Sequence, residues 1–191
     1  MGTATMRPLA ILWALFILAC GPDSSIPSTA PLGTQHDITL AVTMTDTVMR
    51  GLNSPRGLAF GPDGALYVAE AGTAVASGPC IPVVEAGMNV TKCPSGTGSI
   101  SRWRRGVQSR VINGLPSFYV QQSGFATGPN DISFNGLGNA FVPIGWGANP
   151  GLRGNIGALG EFAGTLIKLA PAGDWRVVAD VAGFESLNNP A

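Results

Sequence analysis

The sequence predicts an all-β fold made of repeated four-stranded antiparallel units, and three observations carry that expectation. The first is an ungapped internal match over fourteen residues, 74 positions apart. It pairs Pro55-Arg-Gly-Leu-Ala-Phe-Gly-Pro-Asp-Gly-Ala-Leu-Tyr-Val68 with Pro129-Asn-Asp-Ile-Ser-Phe-Asn-Gly-Leu-Gly-Asn-Ala-Phe-Val142. The second is a downstream match of Gly98-Ser-Ile-Ser-Arg102 with Gly164-Thr-Leu-Ile-Lys168, continued by Arg110-Val-Ile112 and Arg176-Val-Val178. The third is that no helical stripe of ten or more residues follows residue 50. Four short strands per repeat, with Gly and aromatic residues at fixed offsets, describe the blade of a β-propeller.

Taken in order, the strands of the first repeat fall at about 57–60, 65–69, 98–103 and 108–113. Those of the second fall at about 131–134, 139–143, 164–169 and 175–181. Leu58 and Phe60, then Leu66 and Val68, alternate with smaller residues at the strand period of two. Gly61-Pro-Asp-Gly64 and Asn135-Gly-Leu-Gly138 supply hairpin turn chemistry between the first two strands of each repeat. Blade one thus covers about 52–118 and blade two about 126–183. A β-sandwich with a chance repeat is the competing architecture, and an ungapped match across two hairpins weighs against it.

Leu187-Asn-Asn-Pro190 repeats Leu52-Asn-Ser-Pro55, the lead-in to blade one, so 187–191 read as the start of a third blade. Closed propellers hold roughly four to eight blades. The expectation is therefore the N-terminal part of a longer propeller, incomplete at its C-terminus.

The run from Gly51 to Gly72 resembles the opening of the ScyD/ScyE family of exported bacterial propeller proteins. The same holds, in order, for Gly78-Pro-Cys80, Ala126-Thr-Gly-Pro-Asn-Asp-Ile-Ser-Phe134 and Gly164-Thr-Leu166. The resemblance covers about residues 50–190 and implies a six-bladed propeller.

Ahead of the repeats, Arg7 precedes an unbroken apolar run of eleven residues, Leu9 to Ala19, ending in Ile17-Leu-Ala-Cys20. A bilayer span takes about 20 residues, whereas this length suits a secretory signal peptide. Its ending resembles the bacterial lipoprotein motif, with Cys20 lipidated and residues 1–20 acting as the signal; a plain secretory signal and a buried core segment are the alternatives. Residues 21–40, rich in Pro, Ser, Thr and Gly, read as a flexible tether. The expected location is the cell envelope or outer surface, with membrane contact through the lipid anchor only.

Export gives Cys80 and Cys93 a meaning. They sit in one Gly- and Pro-containing loop with twelve residues between them, most simply as a disulfide. Free thiols and a metal site are the other readings, the metal one weakened by long spacing and no neighbouring His.

The formal charge is zero, with 11 basic and 11 acidic residues, so no electrostatic footprint for nucleic acid is present. Arg102, Arg104, Arg105 and Arg110 cluster around a turn at Arg105-Gly106 and read as a solvated outer hairpin, with a patch for an anionic partner as the alternative. The only histidine, His36, falls in the tether, which leaves no Ser-His-Asp triad or multi-histidine metal site in the repeats. No cofactor is implied. Glu70, ending its strand, reads as a surface residue rather than an acid-base catalyst.

The candidate binding residues gather on the loop side. Asn130 and Asp131 open the innermost strand of blade two and look like the Asn-Asp turn of calcium-dependent propeller lactonases. Those enzymes carry a glutamate where this chain has Arg56, a cation in place of a ligand, so no metal site is expected. A structural turn, a polar binding group and a calcium ligand are the three roles open to the pair. Both repeats place their extra length between strands two and three, at 70–97 and 144–163, which would put both insertions on one face. In the second insertion Trp146 could stack on a ring or sugar and Arg153 could pair an anion, or both could tack the loop down.

The functional expectation is a ligand-binding or scaffold module taking a small molecule, glycan or protein at its loop face. The alternative is a lactonase-like or sugar-oxidising enzyme completed by further blades. If Cys20 is acylated, Cys20→Ser protein should leave the membrane fraction on cell fractionation; unchanged partition would refute the anchor.

Overall fold

The computed structural model describes residues 46–170 and 173–188. The apolar run, Cys20, the tether, His36 and the last three residues lie outside them. Among the described residues twelve strands form three four-stranded antiparallel sheets. The strands are β1 Pro55–Phe60, β2 Leu66–Glu70, β3 Ile81–Glu85, β4 Met88–Pro94, β5 Gly98–Arg104 and β6 Val107–Leu115. They continue as β7 Phe118–Val120, β8 Ala126–Thr127, β9 Ser133–Phe134, β10 Ala140–Pro143, β11 Thr165–Leu169 and β12 Trp175–Asp180.

Blade one is β1-β2-β5-β6 and blade two is β9-β10-β11-β12, each a meander with the repeat's long insertion between its second and third strands. The fold is all-β and propeller-type, and the predicted strands match the blade strands within about two residues at either end. The blades meet face to face. Tyr67, Ala69, Ile100, Ile112 and Leu115 of blade one share a core with Ile132, Phe134, Val142, Ile167 and Leu169 around blade two. Period-two alternation produces this, because every second residue of a strand faces the neighbouring sheet. Tyr67 and Phe134 pack across the interface with ring centroids 5.0 Å apart. At the inner edge the backbone closes the contact, Gly57 N donating to Asn130 O at 3.1 Å.

The third sheet, β3-β4-β7-β8, corrects the reading of 70–97 as a loop. Ile81-Pro-Val-Val-Glu85 and Met88–Pro94 form a hairpin closed by Ala86-Gly87, both at positive φ (50° and 77°). That is the type I′ geometry that matches strand twist. The hairpin's second strand pairs with β7, from the connection between the blades, in the register Lys92↔Val120, Cys93↔Tyr119, Pro94↔Phe118. Arg105-Gly106 forms the same kind of turn between β5 and β6, with φ of 50° and 83°.

The second insertion differs from the first. It coils into two 3₁₀ segments, Pro150–Ile156 and Ala158–Phe162, the first capped by Asn149 Oδ1 accepting from Gly151 N at 2.8 Å. After β12 the chain turns into a short helix, α1 Val181–Asn188, so the last strand ends at residue 180 rather than 181. Asp180 explains the switch: its Oδ1 accepts from Gly183 N at 2.9 Å, an N-cap that starts the helix.

Cys80 and Cys93 are joined in a disulfide, as the sequence reading expected, stapling the open end of the β3–β4 hairpin. A 13-residue separation corresponds to a stabilisation of ~3 kcal/mol in the chain-entropy model. A Cys80→Ser/Cys93→Ser protein is expected to lose about that much in denaturant unfolding, and non-reduced peptide mapping of the native protein should return the bonded pair.

Candidate functional site

The starts of β1 and β9 and the ends of β2 and β10 lie on one face, together with both insertions. The third sheet builds on this loop face. Arg56, second residue of β1, reaches across to the third sheet: its Nη2 donates to Ala126 O at 2.5 Å and its guanidinium lies 4.4 Å from the centre of the Phe125 ring. Phe125 belongs to the turn between β7 and β8. The Arg56 side chain is half-buried and Phe125 is exposed.

Asn130 and Asp131 are exposed and lie against Gly57, the residue after Arg56. The Asn130 backbone is held on both sides, its carbonyl by Gly57 and its N–H by Pro143 O at 3.0 Å. Asp131 Oδ1 accepts from the Ile132 amide at 2.8 Å, a turn-type bond that fixes the carboxylate. A side chain on Gly57 would collide with it, since a Cβ there would lie 1.8 Å from Asp131 Oδ1. Glycine at 57 is therefore what lets the backbone of β1 lie directly against Asn130 and Asp131. Among the described residues no group of three or more His, Cys, Asp or Glu side chains is arranged to hold a metal ion.

Trp146 and Arg153 are placed elsewhere. Trp146 is 4% exposed, packed edge-on against Phe118 at 5.2 Å, its Nε1 donating to Asn149 O at 3.1 Å. Lys92 Nζ sits 5.0 Å from the Trp146 ring centre, and also donates to the Trp146 carbonyl and to Glu85 Oε1 at 2.8 Å. Lys92 is fully buried, and burial pulls its ammonium below the usual lysine range despite Glu85. Arg153 pairs with both carboxylate oxygens of Asp180 at 2.5 Å and donates to Ala163 O at 3.3 Å. Its bidentate pair ties the 3₁₀ insertion to the end of β12.

Glu70 is a correction: it is fully buried, not a surface residue. Its carboxylate accepts from Ser101 Oγ at 2.5 Å, from Asn53 N at 2.5 Å, and from Arg110 Nε and Nη2 at 3.1 and 2.9 Å. Arg110 Nη2 also donates to Gly51 O at 2.7 Å. The group clamps the lead-in segment 51–53 onto β5 and β6. Arg102 is the half-buried member of the arginine cluster and serves Asp63; Arg104, Arg105 and Arg110 are exposed, and Arg110 reaches in to serve Glu70.

No protein-family model matches the chain, and no curated protein matches it. Among solved structures, it is similar to an oxidoreductase from Thermus thermophilus described as a glucose dehydrogenase. The TM-score is 0.31 and the identity 19%, over 68% of this chain and 48% of that one. It is also similar to the PQQ-bound aldose sugar dehydrogenase of Streptomyces coelicolor, with a TM-score of 0.30 and 20% identity over 68% and 48% of the two chains. The chain thus spans about half the length of each.

Burial of Glu70 raises its pKa, but Arg110, the Asn53 amide and the Ser101 hydroxyl outweigh that and hold it below its ordinary value of 4.5. A lowered carboxyl contributes stability that is full above the unfolded pKa and is lost as pH falls through the folded one. Thermal melts of wild type and Glu70→Gln are therefore expected to differ most near neutrality, with the gap closing as pH drops below 4.5. A gap that does not change with pH would exclude an ionised Glu70.

Proposed function

We propose that the protein is an exported, lipid-anchored β-propeller of the ScyD/ScyE type whose loop face binds a polyhydroxylated ligand, a glycan in the first instance. The observation that carries the binding site is the exposed Asn130–Asp131 pair, set by the Gly57–Asn130 backbone bond at the inner edge of two adjoining blades, one residue along from Arg56. A carboxylate, an amide and a guanidinium together offer both acceptors and donors to neighbouring hydroxyls. The Phe125 ring, half-exposed beneath the Arg56 guanidinium, offers an apolar surface for the C–H face of a sugar. The backbone around Asn130 is pinned from both blades and the neighbouring sheet is stapled by a disulfide, so little ordering accompanies binding.

A glycan array probed with the mature protein, followed by calorimetry on the soluble oligosaccharides it retains, tests this. Asp131→Ala and Arg56→Ala are each expected to weaken such an oligosaccharide by at least ~10-fold. Affinity unchanged in both variants would remove the inner edge as the site. Sugar oxidation in the presence of PQQ and a dye acceptor, or lactone opening, would replace the binding reading with an enzymatic one if turnover disappeared in Asp131→Ala. Micromolar Ca²⁺ affinity lost in Asp131→Ala would assign the carboxylate to a metal instead.

A further inference from the structure

Each blade turns one face away from the seam, and each of those faces is the repeat counterpart of a surface buried inside it. Ile132 and Phe134 belong to the blade-two side of the shared core. Their counterparts in the repeat are Leu58 and Phe60, which are 60% and 72% exposed. Phe60 pairs with Leu66, and Leu66 with Trp103, so these side chains share the outward face of blade one.

Blade two shows the reverse. Ala59, Tyr67 and Ile100 build the blade-one side of the seam, and their counterparts are Ser133, Phe141 and Leu166. Phe141 pairs with Ser133 and Leu166 with Pro143, on the opposite side of the sheet from the buried Val142 and Ile167. Ser133 and Pro143 are exposed, Phe141 and Leu166 half-buried. The outward face of each blade therefore carries the residue pattern that the other blade's outward face fits. Lys168 stands there at the place of Arg102, which the seam accommodates half-buried at its edge, so a cation at that place is no obstacle.

We propose that copies of this chain associate head to tail, the outward face of blade one in one copy lying on the outward face of blade two in the next. Phe60 then meets Phe141 of the next copy as Phe134 meets Tyr67 in the seam, where the ring centroids are 5.0 Å apart. Exposed apolar surface of this kind marks an interaction site, and a second copy is the partner that supplies the complement of both faces at once. A head-to-tail contact whose rotation closes makes a ring, and roughly four to eight blades correspond to about two to four copies. The inner edge stands further apart than in the seam, because Asp131 takes the place of Gly57 in the repeat. A Cβ at that place lies 2.8 Å from the opposing Cα when the backbones approach as closely as in the seam. The Asn130–Asp131 pair thus stays open, and the association is independent of what the loop face binds.

Light scattering coupled to size exclusion, on the full chain carrying Cys20→Ser so that neither a lipid nor an intermolecular disulfide joins copies, tests the assignment. The parent protein is expected to run as a discrete oligomer of about two to four copies. Phe60→Glu spoils the blade-one face and Ser133→Arg the blade-two face; both positions are exposed, and thermal melting checks that each variant is folded. Each variant alone should be monomeric. Mixed in equal amounts they should form a dimer and nothing larger, since each keeps the face the other has lost. Leu58→Glu should repeat the Phe60→Glu result. A monomeric parent protein would overturn the proposal and leave the two faces to a different occupant. A mixture that stays monomeric would equally exclude a head-to-tail contact, and an oligomer unchanged by either substitution would place the contact on another surface.

Discussion

A twisted four-stranded sheet exposes two broad faces, and water tolerates neither when both are apolar. Each blade of this protein meets that constraint by laying one face on the other, and everything else in the fold is arranged around the resulting seam. Ile100, Ile132, Val142 and Ile167 are at most 2% exposed. Burying such side chains contributes about 1.5–3 kcal/mol each. Register matters here more than composition, because a slip of one residue would carry every one of these side chains to the opposite face. The seam also sets where chemistry can occur. At its inner edge the blades touch backbone to backbone, Gly57 against Asn130 and Asp131; at the opposite turns they separate and leave space lined by both.

The blade strands were legible because the chain writes them twice. Pro55/Pro129, Phe60/Phe134, Gly64/Gly138 and Val68/Val142 occupy equivalent places in both blades, and a repeated pattern filters out the ambiguity of any single short strand. The third sheet has no second copy. Val83, Val84 and Val90 around Ala86-Gly87 carried an ordinary hairpin signal, but β7, the partner strand, lies beyond two complete strands of blade one. Glycine and proline around the hairpin read as loop, when they mark its turns and ends.

Side-chain roles were harder to read than strands. Trp146 and Arg153 have the composition of a binding loop, yet their surroundings are decided by residues far away in sequence: Phe118 and Lys92 for the first, Asp180 for the second. Glu70 shows the same limit from the other side. A carboxylate at a strand end reads as surface until Asn53, Ser101 and Arg110 close over it, and none of these pairings follows from spacing. Asp131 differs because one of its contacts is local, the Ile132 amide, and the other, the bare Cα of Gly57, comes from the matching repeat.

The order of strands along the chain has a consequence for how the molecule holds together. The β3–β4 hairpin precedes the outer strands of blade one, and its partners β7 and β8 follow them, so the two sheets are threaded through each other in sequence. No single cut separates one from the other, and neither is complete while the other's middle is missing. Their hydrogen bonds belong to a shared cooperative unit, in which local opening at one sheet exposes the ends of the other. The loop face is therefore the top of an interlaced pair rather than an ornament on a blade, and its inner-edge residues inherit the rigidity of both.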